Sequence, residues 1–158
     1  MRSAFLFVSL LLLPVKILCA EQDLPPDLKI GANFVWHVAN CDRIDKATKF
    51  QSQNVKVELD QPSLKELTRV LPQLKQYKED IVPEVVYVDQ KYILGEQYAI
   101  FAISSKSKEM KFFEVHLIGK YRPLRIKGIK ELTFNEVYNS TIKNKTIAIP
   151  QDIPQDDD

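Results

Sequence analysis

The chain has few of the residues on which protein chemistry most often depends. It contains two cysteines, two histidines and four glycines. These cysteines and histidines lack the ligand spacing of a zinc site, and the sequence has no glycine-rich phosphate loop or calcium-binding loop. Catalysis needs a nucleophile with a base, paired carboxylates or a metal set. We therefore expect no metal, no cofactor and no enzymatic activity.

Long apolar runs are also scarce, and the one present lies at the N-terminus. Residues 4–13 read AFLFVSLLLL, which is shorter than the roughly 20 residues that span a bilayer and suits a cleaved secretory signal. Arg2 precedes the run, Pro14 breaks it, and Ala20 is a small residue suited to a cleavage site. We predict a signal peptide over residues 1–20, secretion through the endoplasmic reticulum to the extracellular space, and no transmembrane segment.

Cleavage there would change the charge and the cysteine count. The whole chain has 22 basic and 21 acidic side chains. Arg2 and Lys16 would leave with the signal, so acids would then outnumber bases by one. Cys19 would leave too, and Cys41 would become a single thiol, either buried or linked to another chain. We favour burial, because cysteine is among the most buried residue types.

The C-terminal end is acidic and contains two prolines. Residues 149–156 repeat IPQD twice and two aspartates follow, a composition that cannot form a core. Two N-glycosylation sequons precede this stretch, at Asn139 and Asn144. We predict a single globular domain over residues 21–137 and a flexible, glycosylated acidic tail over residues 138–158. The alternative is a final strand with unused sequons.

The first part of the domain mixes strand and helix patterns. Residues 34–39, FVWHVA, are rich in strand formers, and residues 42–50 fit a helical turn. Val55, Val57 and Leu59 alternate with charged residues, which predicts a half-buried strand.

One amphipathic helix is the clearest element of the sequence. Its apolar residues recur at three- and four-residue steps and are Leu64, Leu67, Val70, Leu71, Leu74 and Tyr77. Ser63 and Glu66 have the spacing of a capping box at its start. Pro72 lies inside the pattern, so we expect a kink near residues 70–71 or a split into two short helices.

Strand patterns dominate from residue 84 onward. We predict strands over residues 84–89, 97–104, 111–118, 122–128 and 131–137, of which the second is apolar on both faces and should be central. Short turns make successive strands antiparallel neighbours. The prediction is an α+β fold in which one kinked helix packs on a curved antiparallel sheet. A β-sandwich with a helical insertion is the alternative.

One hairpin resembles a known family. Residues 90–98, QKYILGEQY, followed by Ile100, resemble the first hairpin of cystatins, whose Q-x-V-x-G loop follows a helix and a strand. Gly31 is similar to the N-terminal glycine of that family. The loop here is one residue longer, the second-hairpin Pro-Trp is missing, and a single cysteine cannot form the disulfides of secreted cystatins. The resemblance implies a helix packed on an antiparallel sheet, and it does not imply protease inhibition.

His37 and Cys41 are the one pair suited to thiol chemistry. Residues four apart share a face of a helix, where an imidazole can activate a thiol. A strand over residues 34–39 would instead separate them by about 13 Å, so we interpret Cys41 as a core residue. His116 alternates with apolar neighbours in a predicted strand and should point outward.

A basic segment is the main surface feature. Residues 106–130 contain eight basic and two acidic side chains. Lys120 and Arg122 are two residues apart, as are Arg125 and Lys127, so on strands each pair projects from one face. Such a surface attracts sulfated glycans or acidic proteins, whereas a secreted protein does not normally meet nucleic acid. The alternative is a solvated outer face of a sheet.

These patterns favour a secreted, non-enzymatic binding module that recognises an extracellular protein. The alternatives are a carrier of a small apolar ligand, a glycosaminoglycan-binding protein and a thiol enzyme using Cys41. An enclosed apolar pocket would favour the carrier, and burial of Cys41 would argue against the enzyme.

Overall fold

The computed structural model describes residues 23–78, 84–105, 108–119 and 123–146. The predicted signal peptide and residues 147–158 of the predicted tail lie outside these ranges. The helices are α1 (Pro26–Ala39), α2 (Ile44–Ala47), α3 (Gln61–Lys78) and α4 (Phe134–Thr146). The strands are β1 (Val55–Val57), β2 (Glu84–Ile93), β3 (Glu96–Ser105), β4 (Lys108–Ile118) and β5 (Leu124–Leu132).

The five strands form one open sheet in the order β1-β5-β4-β3-β2. Strands β2 to β5 are antiparallel neighbours joined in sequence, whereas β1 pairs with β5 in parallel, with Val55 opposite Leu124. The predicted α+β class is therefore confirmed, although the sheet is mixed. The described residues form a single sheet with helices on it, so the β-sandwich alternative is wrong.

Helix α1 replaces the strand predicted over residues 34–39. Its buried side chains Leu28, Phe34, Val35 and Val38 follow a helical spacing that begins before residue 34. Pro26 occupies the first turn, where a missing N–H costs nothing. The local preference of valine and tryptophan for strands is therefore outweighed by the packing of a longer apolar stripe.

Gly31 lies within α1, on the side of the helix that contacts the sheet. A Cβ atom at this position would lie 2.8 Å from the Phe101 ring. Glycine thus lets the helix approach the sheet closely.

Helix α3 begins two residues before the predicted capping box and continues through Pro72 without splitting. Asp60 caps it, accepting a hydrogen bond from the Ser63 backbone N–H at 2.9 Å. The Ser63 hydroxyl instead accepts a hydrogen bond from Ile129 N, and the Glu66 carboxylate accepts one from Glu131 N. The predicted capping box is therefore wrong, because both side chains satisfy N–H groups at the edge of β5 that the short β1 leaves open.

Helix α4 occupies part of what was predicted as a last strand and tail. Thr133 and Glu136 form the capping box, with Glu136 N donating to Thr133 Oγ1 at 3.2 Å and Thr133 N donating to Glu136 Oε2 at 2.7 Å. The strand predicted over residues 131–137 therefore ends at Leu132. Residues 138–146, which belong to the predicted tail, are helical.

The sheet has a core on each face. Helices α1 and α3 cover one face, where Phe34, Phe101 and Phe113 are fully buried. Val137 of α4 packs on the other face in a smaller cluster with Ile100, Ala102, Phe112 and Leu132. Strand β3 pairs with a strand on each side and contributes buried residues to both clusters, so its predicted position inside the sheet is confirmed.

Candidate functional site

The turn between β2 and β3 has an unusual residue at its tip. Ile93 pairs with Glu96, so Leu94 and Gly95 alone make the turn. Both have positive φ, 51° for Leu94 and 82° for Gly95, as a two-residue turn of the mirror-image type requires. Asparagine or glycine normally occupies the first position, because a Cβ atom is strained there.

The side chains at this tip are apolar and face solvent. Leu94 is 100% exposed, Tyr92 63% and Ile93 47%. We call residues 92–95 the hairpin tip. Strained residues persist where the surrounding structure supports them, and they cluster at functional sites. An exposed apolar cluster often marks a binding surface.

The base of the hairpin is tied down by side chains from neighbouring strands. Gln97 is buried and donates from Nε2 to Gln90 Oε1 at 2.7 Å. Lys91 Nζ lies 2.6 Å from a Glu114 carboxylate oxygen of β4. These contacts hold the tip in one orientation, which reduces the entropy lost when a partner binds.

A polar layer continues from the hairpin onto β4. His116 Nε2 lies 2.7 Å from Glu96 Oε2, and the imidazole stacks on the Tyr98 ring with centroids 4.2 Å apart. Burial and the nearby Glu96 and Glu114 carboxylates raise the pKa of Tyr98, so its hydroxyl stays neutral. His116 was predicted to point outward. In the structure its side chain is partly buried and contacts Glu96 and Tyr98.

The structure describes two of the four predicted basic residues. Arg125 and Lys127 lie on β5, whereas Lys120 and Arg122 lie outside the described residues. Lys127 Nζ is 2.8 Å and Arg125 Nη1 4.0 Å from Glu58 Oε2. The hydrogen bond from Lys127 lowers the pKa of Glu58, so this carboxylate stays charged and offsets part of the positive surface.

Lys56 adds a cation that the sequence did not suggest. It lies opposite Arg125 in the parallel pairing of β1 and β5. Cross-strand partners share a face of a sheet, so these two cations are neighbours although they are far apart in sequence.

His37 and Cys41 are close, contrary to the strand-based distance of about 13 Å, because His37 lies in the last turn of α1 and Cys41 follows just after the helix ends. Cys41 Sγ lies 3.6 Å from His37 Nε2, and that nitrogen also lies 3.0 Å from Lys46 O. A carbonyl can only accept, so the geometry assigns a hydrogen to Nε2, which then cannot take a proton from the thiol. Cys41 is also buried, and the pair therefore does not support the thiol-enzyme hypothesis.

The two sequons lie on α4. Asn139 is exposed, and Asn144 belongs to the last turn of the helix. Neither position tests glycosylation, which stays a prediction.

The cavities at the surface of the described residues include two beside α3. One, of about 480 Å³, lies between the start of α3 and the polar layer and is lined by Asp60, Ser63, Glu66, Tyr98, His116 and Lys130 among others. The other, of about 580 Å³, lies between α2 and α3 near Pro72. Neither is the enclosed apolar pocket that a carrier of an apolar ligand requires. In the described ranges, no three His, Cys, Asp or Glu side chains cluster as a metal site.

Comparisons with protein-family models, curated proteins and solved structures found no match to this chain. Within the described residues, no helix is both long and apolar enough to cross a membrane. The architecture described above is that of an α+β domain with an exposed hairpin tip.

The hairpin tip was not among the sites predicted from the sequence. The signal was available in Tyr92, Ile93 and Leu94, three apolar residues directly before Gly95, where a turn normally carries polar residues.

Proposed function

We propose that the protein is a secreted binding module that recognises a protein partner through its hairpin tip. The observation that carries the proposal is Leu94, which is fully exposed at a positive φ. A residue that served only the turn would be asparagine or glycine, since either relieves the strain and removes the exposed apolar surface. The rigid base of the hairpin supports the same role.

The chemistry of the tip indicates the kind of partner. Burial of a leucine side chain contributes about 1.5–3 kcal/mol, and tyrosine is among the residues enriched in binding hot spots. We expect a partner with an apolar cleft wide enough for a β-turn, into which Leu94 inserts beside Tyr92.

Site-specific cross-linking tests this proposal. The full chain, secreted from eukaryotic cells, would carry a photoreactive phenylalanine analogue in place of Leu94, or in a control in place of Lys75, which is exposed on α3. We expect discrete cross-linked species with extracellular proteins from position 94 and none from position 75. Equal cross-linking from both positions, or none from position 94, would refute the proposal.

Secretion and glycosylation are part of the same proposal. We expect the secreted protein to begin at Glu21 by N-terminal sequencing. An endoglycosidase should lower its mass, and this shift should disappear when Asn139→Gln and Asn144→Gln are combined. A retained N-terminus would contradict the signal peptide, and an unchanged mass would contradict the use of the sequons.

Binding of a sulfated glycan is a second candidate function. The observation that favours it is the juxtaposition of Lys56 and Arg125 on adjacent strands, which adds a positive charge beside Lys127. Glu58 opposes these cations, so we expect weak, salt-sensitive retention on heparin.

A further inference from the structure

Strand β2 forms one edge of the sheet. Among the described residues its strand neighbour is β3 on one side, and it is ten residues long without a proline. Val86 and Val88 are exposed on it. A long edge strand of this kind presents backbone groups that can pair with another strand.

The backbone of Gln90 shows which groups face outward. Gln90 N donates to Asp89 Oδ1 at 2.8 Å, a contact with the preceding side chain rather than with β3. The N–H of Gln90 therefore points away from the sheet. In an antiparallel ladder, the carbonyl of the same residue points to the same side, so Gln90 offers an acceptor at the edge and an N–H that would exchange the Asp89 carboxylate for a carbonyl of a second strand.

The sequence around Gln90 is complementary to itself. The register between β2 and β3 shifts between Tyr87 and Asp89, so Val88 is an extra, bulged residue. If two copies of β2 pair antiparallel about a two-fold axis at Gln90, Asp89 lies opposite Lys91 of the second copy, and the reverse. Opposite charges in such a cross-strand pair are stabilising, and Lys91 would then lie between Asp89 of the second copy and Glu114 of its own chain.

The flanking residues agree with the same register. Counting past the bulge, Tyr87 lies opposite Tyr92 of the second copy, and Val86 lies opposite Ile93. The two members of each pair lie on the same face of the sheet. Val86 and Ile93 share one face, because their β3 partners Ala102 and Glu96 are an even number of residues apart. Tyr87 and Tyr92 lie on the other face. The exposed apolar side chains of β2 would thus cover one another.

We propose that β2 is a self-association edge through which two copies of this chain form a continuous sheet about a two-fold axis at Gln90. Such an interface is isologous, so each contact occurs twice. Leu94 lies beyond the paired stretch and stays exposed at opposite ends of the dimer. Tyr92 and Ile93 of the hairpin tip would be covered by the second copy.

The backbone pairing can be tested with one position and a matched control. Gln90→Pro removes the outward N–H, and a proline is tolerated at a sheet edge. Gln90→Ala is the control, because it keeps the backbone N–H and, like the proline variant, loses the side-chain hydrogen bond with Gln97. By sedimentation equilibrium of the secreted full chain at about 1–200 µM, we expect wild type and Gln90→Ala to dimerise and Gln90→Pro to stay monomeric.

A charge exchange tests the register, and it does not depend on how well the proline variant folds. Asp89→Lys would place like charges opposite each other twice and should weaken the dimer about tenfold or more. Asp89→Asn removes the charge without reversing it and should weaken the dimer less than Asp89→Lys. A monomeric wild type would overturn the proposal. So would a dimer indifferent to Asp89→Lys, or one that the two substitutions weaken equally. Leu94→Asn should leave the dimer unchanged, which separates this result from any failure at the hairpin tip.

Discussion

Replacement of Gly31 by alanine sets two opposing effects against each other at the contact between α1 and the sheet. Alanine favours a helix over glycine by about 1 kcal/mol. The added Cβ, however, would lie 2.8 Å from Cζ and 2.9 Å from Cε2 of Phe101. Phe101 is fully buried, so its ring cannot move without disturbing the core.

The packing effect should be the larger of the two. Forcing extra methyl groups into a close-packed interior costs about 1–3 kcal/mol, and two sub-contact distances to a rigid ring place Gly31→Ala in the upper part of that range. After the gain in helix propensity, we expect a net loss of about 1–2 kcal/mol. That corresponds to a fall in melting temperature of about 3–8 °C for a domain of this size.

Urea unfolding followed by circular dichroism measures this loss. Asn33→Ala, at an exposed position of the same helix, is the control and should stabilise by about 0.5 kcal/mol. In a double-mutant cycle with Phe101→Leu, the cost of Gly31→Ala should shrink, because the smaller side chain relieves the contact. A Gly31→Ala protein as stable as wild type, or more stable, would refute the close packing of α1 on β3.

Three further predictions concern the turn, the acid response and the basic surface. Leu94→Asn should raise the free energy of unfolding by about 1 kcal/mol, because asparagine tolerates positive φ better than leucine. A lower melting temperature would contradict a strained turn. The same substitution should weaken partner capture about tenfold or more. Burial disfavours the charged form of Glu131, but hydrogen bonds from Lys111 and Arg69 outweigh it and lower its pKa. This stabilisation is present above the ordinary glutamate pKa of about 4.3 and is lost as the pH falls through the lower folded value. Urea unfolding between about pH 2 and 7 should therefore show a steeper acid loss for wild type than for Glu131→Gln, and equal slopes would contradict this account. Arg125→Ala combined with Lys127→Ala should elute earlier from heparin than wild type, whereas Lys75→Ala should not; unchanged elution would exclude the glycan surface.

Elements with strong periodicity could be predicted from the sequence. The apolar spacing of α3 identifies a helix despite Pro72, since a stripe over four turns outweighs one missing hydrogen bond. Strand β3 was predicted to be central because it is apolar at consecutive positions, and Ile100 and Phe101 are indeed buried on opposite faces.

Elements whose signals are short or ambiguous could not be assigned in the same way. The strand formers around Trp36 dominate a short window, although the apolar stripe of α1 starts eight residues earlier at Leu28. At the other end, Thr133 and Glu136 have capping-box spacing, as Ser63 and Glu66 do. In the structure, Thr133 and Glu136 form a capping box. Ser63 and Glu66 instead accept hydrogen bonds from the backbone of β5. Spacing alone does not distinguish these outcomes, because a nearby strand edge competes for the same side chains.

Composition and local periodicity are enough to identify the scarcity of cysteine, histidine and glycine, the helix α3 and the succession of strands. Tertiary packing, by contrast, adds β1 in parallel to β5, brings Glu58 beside Arg125 and Lys127, and leaves Leu94 exposed at a strained turn. Such features arise from register and packing between segments far apart in the chain, which no local pattern encodes.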